Sequence, residues 1–318
     1  MNLLSAMRYL VALNAHRHFG RAALACHITQ PALSNALRAL EEEFKVVIVK
    51  RERNFVGLTP EGERVLATAQ VMLHERALLE QELMSDIDRP RGPMYIGAVP
   101  TAMPIVARFA ALLQARHTGI VPTVLSLSSS ALEKGLEDLS IDLALGYTER
   151  MGLRGTRLTA WPQYTEHYFL LRRAATPHLK GPHEGLRIGP KMRWKDAALL
   201  PLCMLTPDMH NRTLVDAAFT SAGVTIKPAI ETNSILTMVL SVVAGSVCSV
   251  LPGALVGAVR SYHELEALPL VSPDMKTPIG FMSRAAARPS RALEAALLLA
   301  QDSAWLRHAA AHSGLLAT

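Results

Sequence analysis

The stretch HFGRAALACHITQPALSNALRALEEEF, His18 to Phe44, decides how the first part of the chain is read. It holds two short apolar patterns joined by a turn and closes on three glutamates, Glu41 to Glu43. Upstream, apolar residues at 3, 4, 7, 10, 11 and 13 have helical spacing and predict a first helix from Leu3 to Asn14. Gly20 to Ala25 predicts a short second helix, and Cys26 to Thr29 a turn. In the third helix Thr29 is placed to cap, Pro31 suits the first turn, and Leu33, Leu37, Leu40 and Phe44 form an inward stripe. Gln30, Ser34, Asn35 and Arg38 are left outward. Such side chains hydrogen-bond base edges and phosphates, and the first turns of the second helix in a helix-turn-helix are where those contacts fall.

Beyond the glutamates, which would repel phosphate and are expected to face solvent or another part of the protein, KVVIVKRERNFVGLTPEGE predicts two short strands. Lys50, Arg51, Arg53 and Asn54 sit at the tip of this wing, and Thr59-Pro60-Glu61 starts a new helix. For the helices alone, a packed cluster with one solvated side is the plainer alternative.

The 318 residues, half of them apolar, suffice for two domains, one of them divided. A net charge of +6 fits contact with a polyanion, and residues 1 to 60 carry eight cations against four anions. Cys26, Cys203 and Cys248 are odd in number and far apart, which suggests buried thiols in a reducing compartment and no zinc site. An arginine within the apolar part of the N-terminus argues against a signal peptide. Ile235 to Val259 runs without a charge, yet Gly245-Ser246 and Pro252-Gly253 divide it into the pieces of a buried α/β unit, so no membrane contact is expected.

The linear order resembles the winged helix-turn-helix of LysR-type transcriptional regulators over residues 1 to 90. The marks are the alanine pair Ala22-Ala23, TQPALS from Thr29 to Ser34, the pair Leu40-Glu41, and LTPEG from Leu58 to Gly62. The resemblance implies DNA contacts from Thr29, Gln30, Pro31, Ala32, Ser34, Asn35, Arg38, Arg51, Arg53 and Asn54. His18-Phe19 stands where Ser-Phe is usual, Phe44-Lys45 replaces Leu-Gly, and Val49 takes a phenylalanine position. Asn54 stands where a second arginine is commoner, which shifts phosphate contact toward Arg53.

From Thr59, the positions Val65, Leu66, Ala69, Met72, Leu73, Leu79 and Leu83 lie close to a heptad seam until Asp88-Arg89-Pro90 stops the helix. About thirty residues of helix rise ~45 Å, too long to pack only on a small domain. The resemblance favours a dimerising linker. From Arg91 strands and helices alternate, the texture of an α/β domain. This part resembles the family's effector-binding domain, two Rossmann-like subdomains built like a periplasmic binding protein. The expected division is a winged helix-turn-helix at 1–58, a long linker helix at 59–90, and an effector domain at 91–318. Subdomain I covers about 91–162 and 267–303, and subdomain II about 163–266.

Ligands in such folds lie beyond the carboxyl ends of strands, near helix starts. Four places qualify: Pro100-Thr101-Ala102, Ser128-Ser129-Ser130, Thr206, and Thr232-Asn233-Ser234. Each alone is an ordinary cap; their clustering points to a small carboxylate or anion, with His167, His210 and Arg212 adding positive charge if they face the cleft. No nucleophile motif or phosphate loop is present, so neither an enzyme nor a cofactor is expected. The reading is a cytoplasmic activator or repressor on double-stranded promoter DNA, a homo-oligomer (a dimer of dimers, hence a homotetramer) controlled by a small-molecule effector, with RNA polymerase a further partner. A metabolite-binding protein leaves the basic head unexplained, and a DNA-architectural protein leaves the cleft unused.

Overall fold

The computed structural model describes residues 2–51, 55–84, 89–150, 158–174, 186–285 and 289–311. It divides into two compact units, residues 1–86 and 87–318.

In the first unit, α1 (Leu3–His16), α2 (Phe19–Ala25) and α3 (Gln30–Phe44) precede an antiparallel hairpin, β1 (Val49–Arg51) and β2 (Phe55–Leu58), and a long helix, α4 (Pro60–Met84). Local chemistry fixes each helix start. Asn2 accepts from the Ser5 N–H at 3.2 Å and Thr29 from the Ala32 N–H at 3.3 Å. His18, standing where serine is usual, does the same job for α2 by accepting from the Arg21 N–H at 3.3 Å through Nδ1. Small Ala22 and Ala23 are buried, which lets α2 approach its neighbours, and Leu33, Leu37 and Leu40 are the buried face of α3. Phe44, expected in that stripe, is instead 41 % exposed, because α3 ends there and Lys45 turns the chain into the left-handed region.

The glutamate that follows Leu40 faces the protein. Glu41 Oε1 accepts from the N–H groups of Ile48 and Val49 at 2.9 and 3.0 Å, tying the end of α3 to the wing. Thr59 ties the wing to α4: its N–H donates to the Ile48 carbonyl at 3.0 Å, and its hydroxyl accepts from the Gly62 N–H at 2.9 Å. Gly62 itself lies so close to Ile48 that a Cβ there would run into the Ile48 carbonyl oxygen. These contacts account for LTPEG. Leu66 and Ala69 of α4 are buried, whereas Val71, Met72, Leu79 and Leu83 are exposed.

In the second unit, β3 (Gly92–Ala98), α5 (Met103–Arg116), β4 (Ile120–Ser126), α6 (Ser129–Glu137) and β5 (Leu143–Tyr147) lead to a sixteen-residue strand, β6 (Leu158–Arg173). Then come β7 (Arg187–Ile188), β8 (Met192–Arg193), α7 (Trp194–Ala197), β9 (Leu202–Leu205), α8 (His210–Ser221) and β10 (Ile230–Thr232). The rest is α9 (Ile235–Ala244), β11 (Cys248–Pro252), α10 (Gly253–Ala258), β12 (Leu265–Val271), β13 (Lys276–Arg284), α11 (Arg291–Ala300) and α12 (Ser303–Ala311). Subdomain I has the sheet order β4-β3-β5-β13-β6, with β3, β4 and β5 parallel. Subdomain II has β10-β9-β11-β6-β12, with β9, β10 and β11 parallel. The charge-free run Ile235 to Val259 becomes α9, β11 and α10, and no described helix is long and apolar enough to cross a membrane.

One strand serves both sheets. Leu158 to His167 of β6 pair with β13, and Tyr168 to Arg173 pair with β11 and β12. The first change of sheet therefore falls at 167/168, beyond the expected 162/163. The return falls between Val271 and Lys276, not at 267, because β12 pairs 265–269 with 169–173 and belongs to subdomain II. The C-terminal helical run returns to subdomain I as two helices: Asp302 caps α12 by accepting from the Ala304 and Trp305 N–H groups at 2.7 and 3.2 Å.

Gly62→Ala should destabilise the first unit by about 1–3 kcal/mol, since the added methyl meets backbone and not a movable side chain. Calorimetry of the full chain checks this; an unchanged first-unit transition would show that the wing yields freely.

Candidate functional site

The inward leucines of α3 leave Gln30, Pro31, Ala32, Asn35 and Arg38 exposed and Ser34 half-buried. Thr29 is exposed too, its hydroxyl engaged as the cap. Arg38 has no hydrogen-bond or ion-pair partner among the described residues, so its guanidinium is available to an incoming acceptor. Lys50 is exposed on β1. Arg53 and Asn54, and the side chain of Arg51, lie outside the described residues. The wing is anchored through Phe55, whose ring packs edge-on against Phe19 at 6.2 Å and lies 5.5 Å from the Arg17 guanidinium. The sequence reading missed this anchor, because Arg17 and Phe55 are far apart along the chain.

In the second unit the expected ligand positions fall into three groups. Ser128 caps α6 by accepting from the Ala131 N–H at 3.3 Å, and its hydroxyl is 3.1 Å from that of Ser130. Ser234 caps α9 in the same way, while Asn233 is exposed. Ser129 Oγ and Thr206 Oγ1, by contrast, are buried without a hydrogen-bond partner. Pro100, Thr101 and Ala102 form a single 3-10 turn, with Thr101 buried.

Thr101 belongs to a chain of neutral groups that joins the subdomains. Its hydroxyl is 3.0 Å from that of Tyr147, at the end of β5. Tyr147 accepts from Asn211 Nδ2 at 3.2 Å, and the same nitrogen is 3.4 Å from the Tyr168 hydroxyl. Tyr168 in turn lies 3.1 Å from Thr277 Oγ1. Asn211 is on α8 of subdomain II, Tyr168 is on β6, the strand shared by both sheets, and Thr277 is on β13 of subdomain I.

The cations are occupied. Arg212 Nε donates to both oxygens of Asp216 at 2.9 Å, and Nη1 donates to Glu231 at 2.6 Å and to the Leu205 carbonyl at 2.7 Å, locking α8 onto β9 and β10. His210 lies 3.3 Å from Glu149 and 3.3 Å from Arg150, which is paired with Glu133 at 2.8 Å. Burial holds the His210 pKa below the ordinary histidine value. His167 lies beside Lys276 and Asp274, apart from this chain of contacts, and its pKa is lowered by burial and then by Lys276.

A buried acid sits among the tyrosines. Tyr164, Glu166 and Tyr168 share one face of β6 by alternation, and Glu166 is 0 % exposed. The Tyr164 hydroxyl donates to Glu166 Oε1 at 3.4 Å, and Oε2 has no partner. Burial pushes the carboxyl up to about 8. None of the positions expected from the sequence falls on Glu166, although the run QYTEHY alternates an acid with two aromatics.

The thiols are poorly placed for mutual chemistry. Ser249 lies opposite Cys203 in the parallel pairing of β9 and β11, so Cys203 and Cys248 are offset by one residue and face opposite sides of the sheet. Burial raises the pKa of both, and of Cys26. Among the described residues no group of three His, Cys, Asp or Glu side chains gathers to hold a metal.

A capped, basic helix-turn-helix with a wing, followed by a two-lobed α/β domain of the substrate-binding type, defines a class of modular regulators. Residues 4–63 match the bacterial regulatory helix-turn-helix of the lysR family, and residues 88–305 match the LysR substrate binding domain. The chain belongs to the LysR family.

Over 98 residues, 31 % of its length, it is 39 % identical to the DNA-binding transcriptional dual regulator OxyR of Escherichia coli K12, and that stretch covers 32 % of the relative. The chain therefore spans about a third of the length of the curated relatives of this kind. A probable hydrogen peroxide-inducible genes activator of Streptomyces viridosporus is 31 % identical over 186 residues, 58 % of this chain and 57 % of that one. A full-length OxyR variant from Pseudomonas aeruginosa shares the fold at a TM-score of 0.65 and 24 % identity, over 92 % of this chain and 95 % of that one. CbnR in complex with its target DNA shares it at 0.62 and 17 %, over 96 % and 99 %.

Because Glu166 stays protonated in the folded chain while an unfolded glutamate ionises near its ordinary value of 4.5, folding takes up a proton over the interval from there to about 8. Stability contributed below this window is lost as pH rises through it, with a slope of up to about 1.4 kcal/mol per pH unit. Glu166→Gln should flatten that slope in urea unfolding between pH 5 and 8; an unaltered slope would place the proton uptake elsewhere.

Proposed function

We propose that the chain regulates transcription by binding double-stranded promoter DNA sequence-specifically through α3 and the wing, under control of a small-molecule effector held between the subdomains. The observation that carries this is the exposed face of α3, where Asn35 and the unpartnered Arg38 are held outward by a fully buried leucine face. The wing residues Arg51, Arg53 and Asn54 supply phosphate contacts in this reading. The exposed apolar side of α4 pairs with a second copy, giving a homo-oligomer, a dimer of dimers, whose two reading heads meet a two-fold site. The protein acts in the cytoplasm, as activator or repressor, with RNA polymerase a further partner and no catalytic step of its own.

The effector is a small carboxylate or other small anion at Thr101, Ser129 and Thr206, with Pro100, Ala102, Ser128, His210 and Asn233 around it. It must bind two arrangements of the subdomains unequally, since equal affinity shifts nothing. The buried, opposed and unactivated thiols weigh against disulfide switching, whatever the names of the peroxide-inducible relatives suggest.

Arg38→Ala should reduce discrimination between promoter and random DNA by about 1–3 kcal/mol while altering random-DNA binding far less. Gel shifts at several salt concentrations measure both affinities; equal losses on the two DNAs would remove Arg38 from base readout, and no preference in the unaltered protein would contradict sequence-specific binding.

A further inference from the structure

The joint between the subdomains contains an acid without a base. Glu166 is fully buried, and no cation pairs with it among the described residues. Around it stand Tyr147 from β5, Tyr164 and Tyr168 from its own strand, and Thr277 opposite it on β13. Lys276 pairs with His167, one residue along, and so lies on the other face of the strands. The helices α9 and α10, which pack on β6, carry no ionisable side chain. On α12, which also packs on β6, the ionisable side chains are Arg307 and His308, and Trp305 of that helix donates to Gln163, three residues before Glu166. Beyond Tyr147 are Glu149, His210 and Arg150, mutually engaged.

An ionised carboxylate so placed would be a buried charge with one long hydrogen bond, which is costly. The neutral acid fits better: Oε1 accepts from Tyr164, and the remaining O–H sits on Oε2, the buried oxygen without a partner. A buried donor of this kind calls for an acceptor.

We propose that Glu166, as a neutral carboxyl group, donates a hydrogen bond from Oε2 to a carboxylate oxygen of the effector, so that effector binding depends on a proton carried by the protein. This rests on the reading of the inter-subdomain cleft as the effector site. It answers a difficulty in that reading: Arg150, His210 and Arg212 are all engaged by carboxylates, so an anion there is held by neutral donors. Thr101, Tyr147 and the unpartnered hydroxyls of Ser129 and Thr206 supply the rest of that set. A bound anion also holds the Glu166 proton more firmly, because a second negative charge beside it disfavours ionisation. Effector and proton then bind together.

Two measurements on the full-length protein test this. The infrared difference between the unaltered protein and Glu166→Gln, followed from about pH 6 to pH 10, should show a protonated carboxyl band at neutral pH that disappears at alkaline pH. Thermal unfolding with acetate, benzoate and malonate should show a carboxylate whose affinity for the unaltered protein falls about tenfold per pH unit above the Glu166 transition. Glu166→Gln, which keeps an N–H donor, should bind that carboxylate equally at both ends of the range, and Glu166→Leu should bind it weakly at both.

An ionised Glu166 at neutral pH would overturn the proposal. So would equal carboxylate affinity of the unaltered protein at about pH 6.5 and about pH 9.5, or the absence of stabilisation by any of the three. Intact footprinting on promoter DNA in those cases would leave the DNA-binding reading standing and remove only the proton-linked carboxylate.

Discussion

The second unit depends on β6 belonging to two sheets. Its first ten residues close the sheet of subdomain I against β13, and its last six lie between β11 and β12 in subdomain II. A strand is stiff along its hydrogen-bonded length, so movement of one subdomain relative to the other must act near the change of partners at His167 and Tyr168. The polar groups that span the lobes meet at that place. Thr101, Tyr147, Asn211, Tyr168 and Thr277 form one hydrogen-bonded chain there, and Glu166 lies next to it. In the proposed reading, a ligand that competed for Thr101 or Asn211 would change the same contacts that hold the lobes together, and would thereby bind two arrangements of them unequally.

The first unit is organised by a different constraint, the fixing of a hairpin by single side chains. Glu41 holds the start of β1 from the end of α3, Thr59 holds it from the start of α4, and Gly62 permits the close approach. Arg17 and Phe19 reach the far strand through Phe55. The exposed face of α3 is therefore carried on a small rigid body, and positional accuracy of that kind is what base readout through a bidentate side chain demands.

The legible part of the sequence was the part whose contacts are local. Thr29 with Ala32 and Ser128 with Ala131 are three residues apart, and the leucine stripe of α3 repeats at helical spacing, so caps and buried faces could be read directly. Phe44 fit the same period, yet its helix ended before the position became useful. The polar chain between the subdomains was illegible for the opposite reason. Its contacts join residues 46, 64 and 109 apart, and nothing in the spacing of Tyr147, Asn211 or Thr277 announces a partner. The run LEALPLV is apolar enough to be buried in either sheet, and only its pairing with 169–173 assigns it. Hydroxyls at strand ends were visible, but whether each was a cap or a free group depended on the direction of the side chain: Ser128 and Ser234 are caps, and Thr206 is not partnered.

The central claim is that α3, held by this scaffold, reads base edges of a particular DNA site as part of a symmetric assembly. Selection of binding sequences from a pool of random double-stranded DNA by the full-length protein, followed by sequencing, tests it most directly. The account predicts a two-fold related pair of half-sites, with centres a whole number of helical turns apart. Retention of DNA with no common sequence would contradict it, showing a basic head that binds phosphate without reading bases.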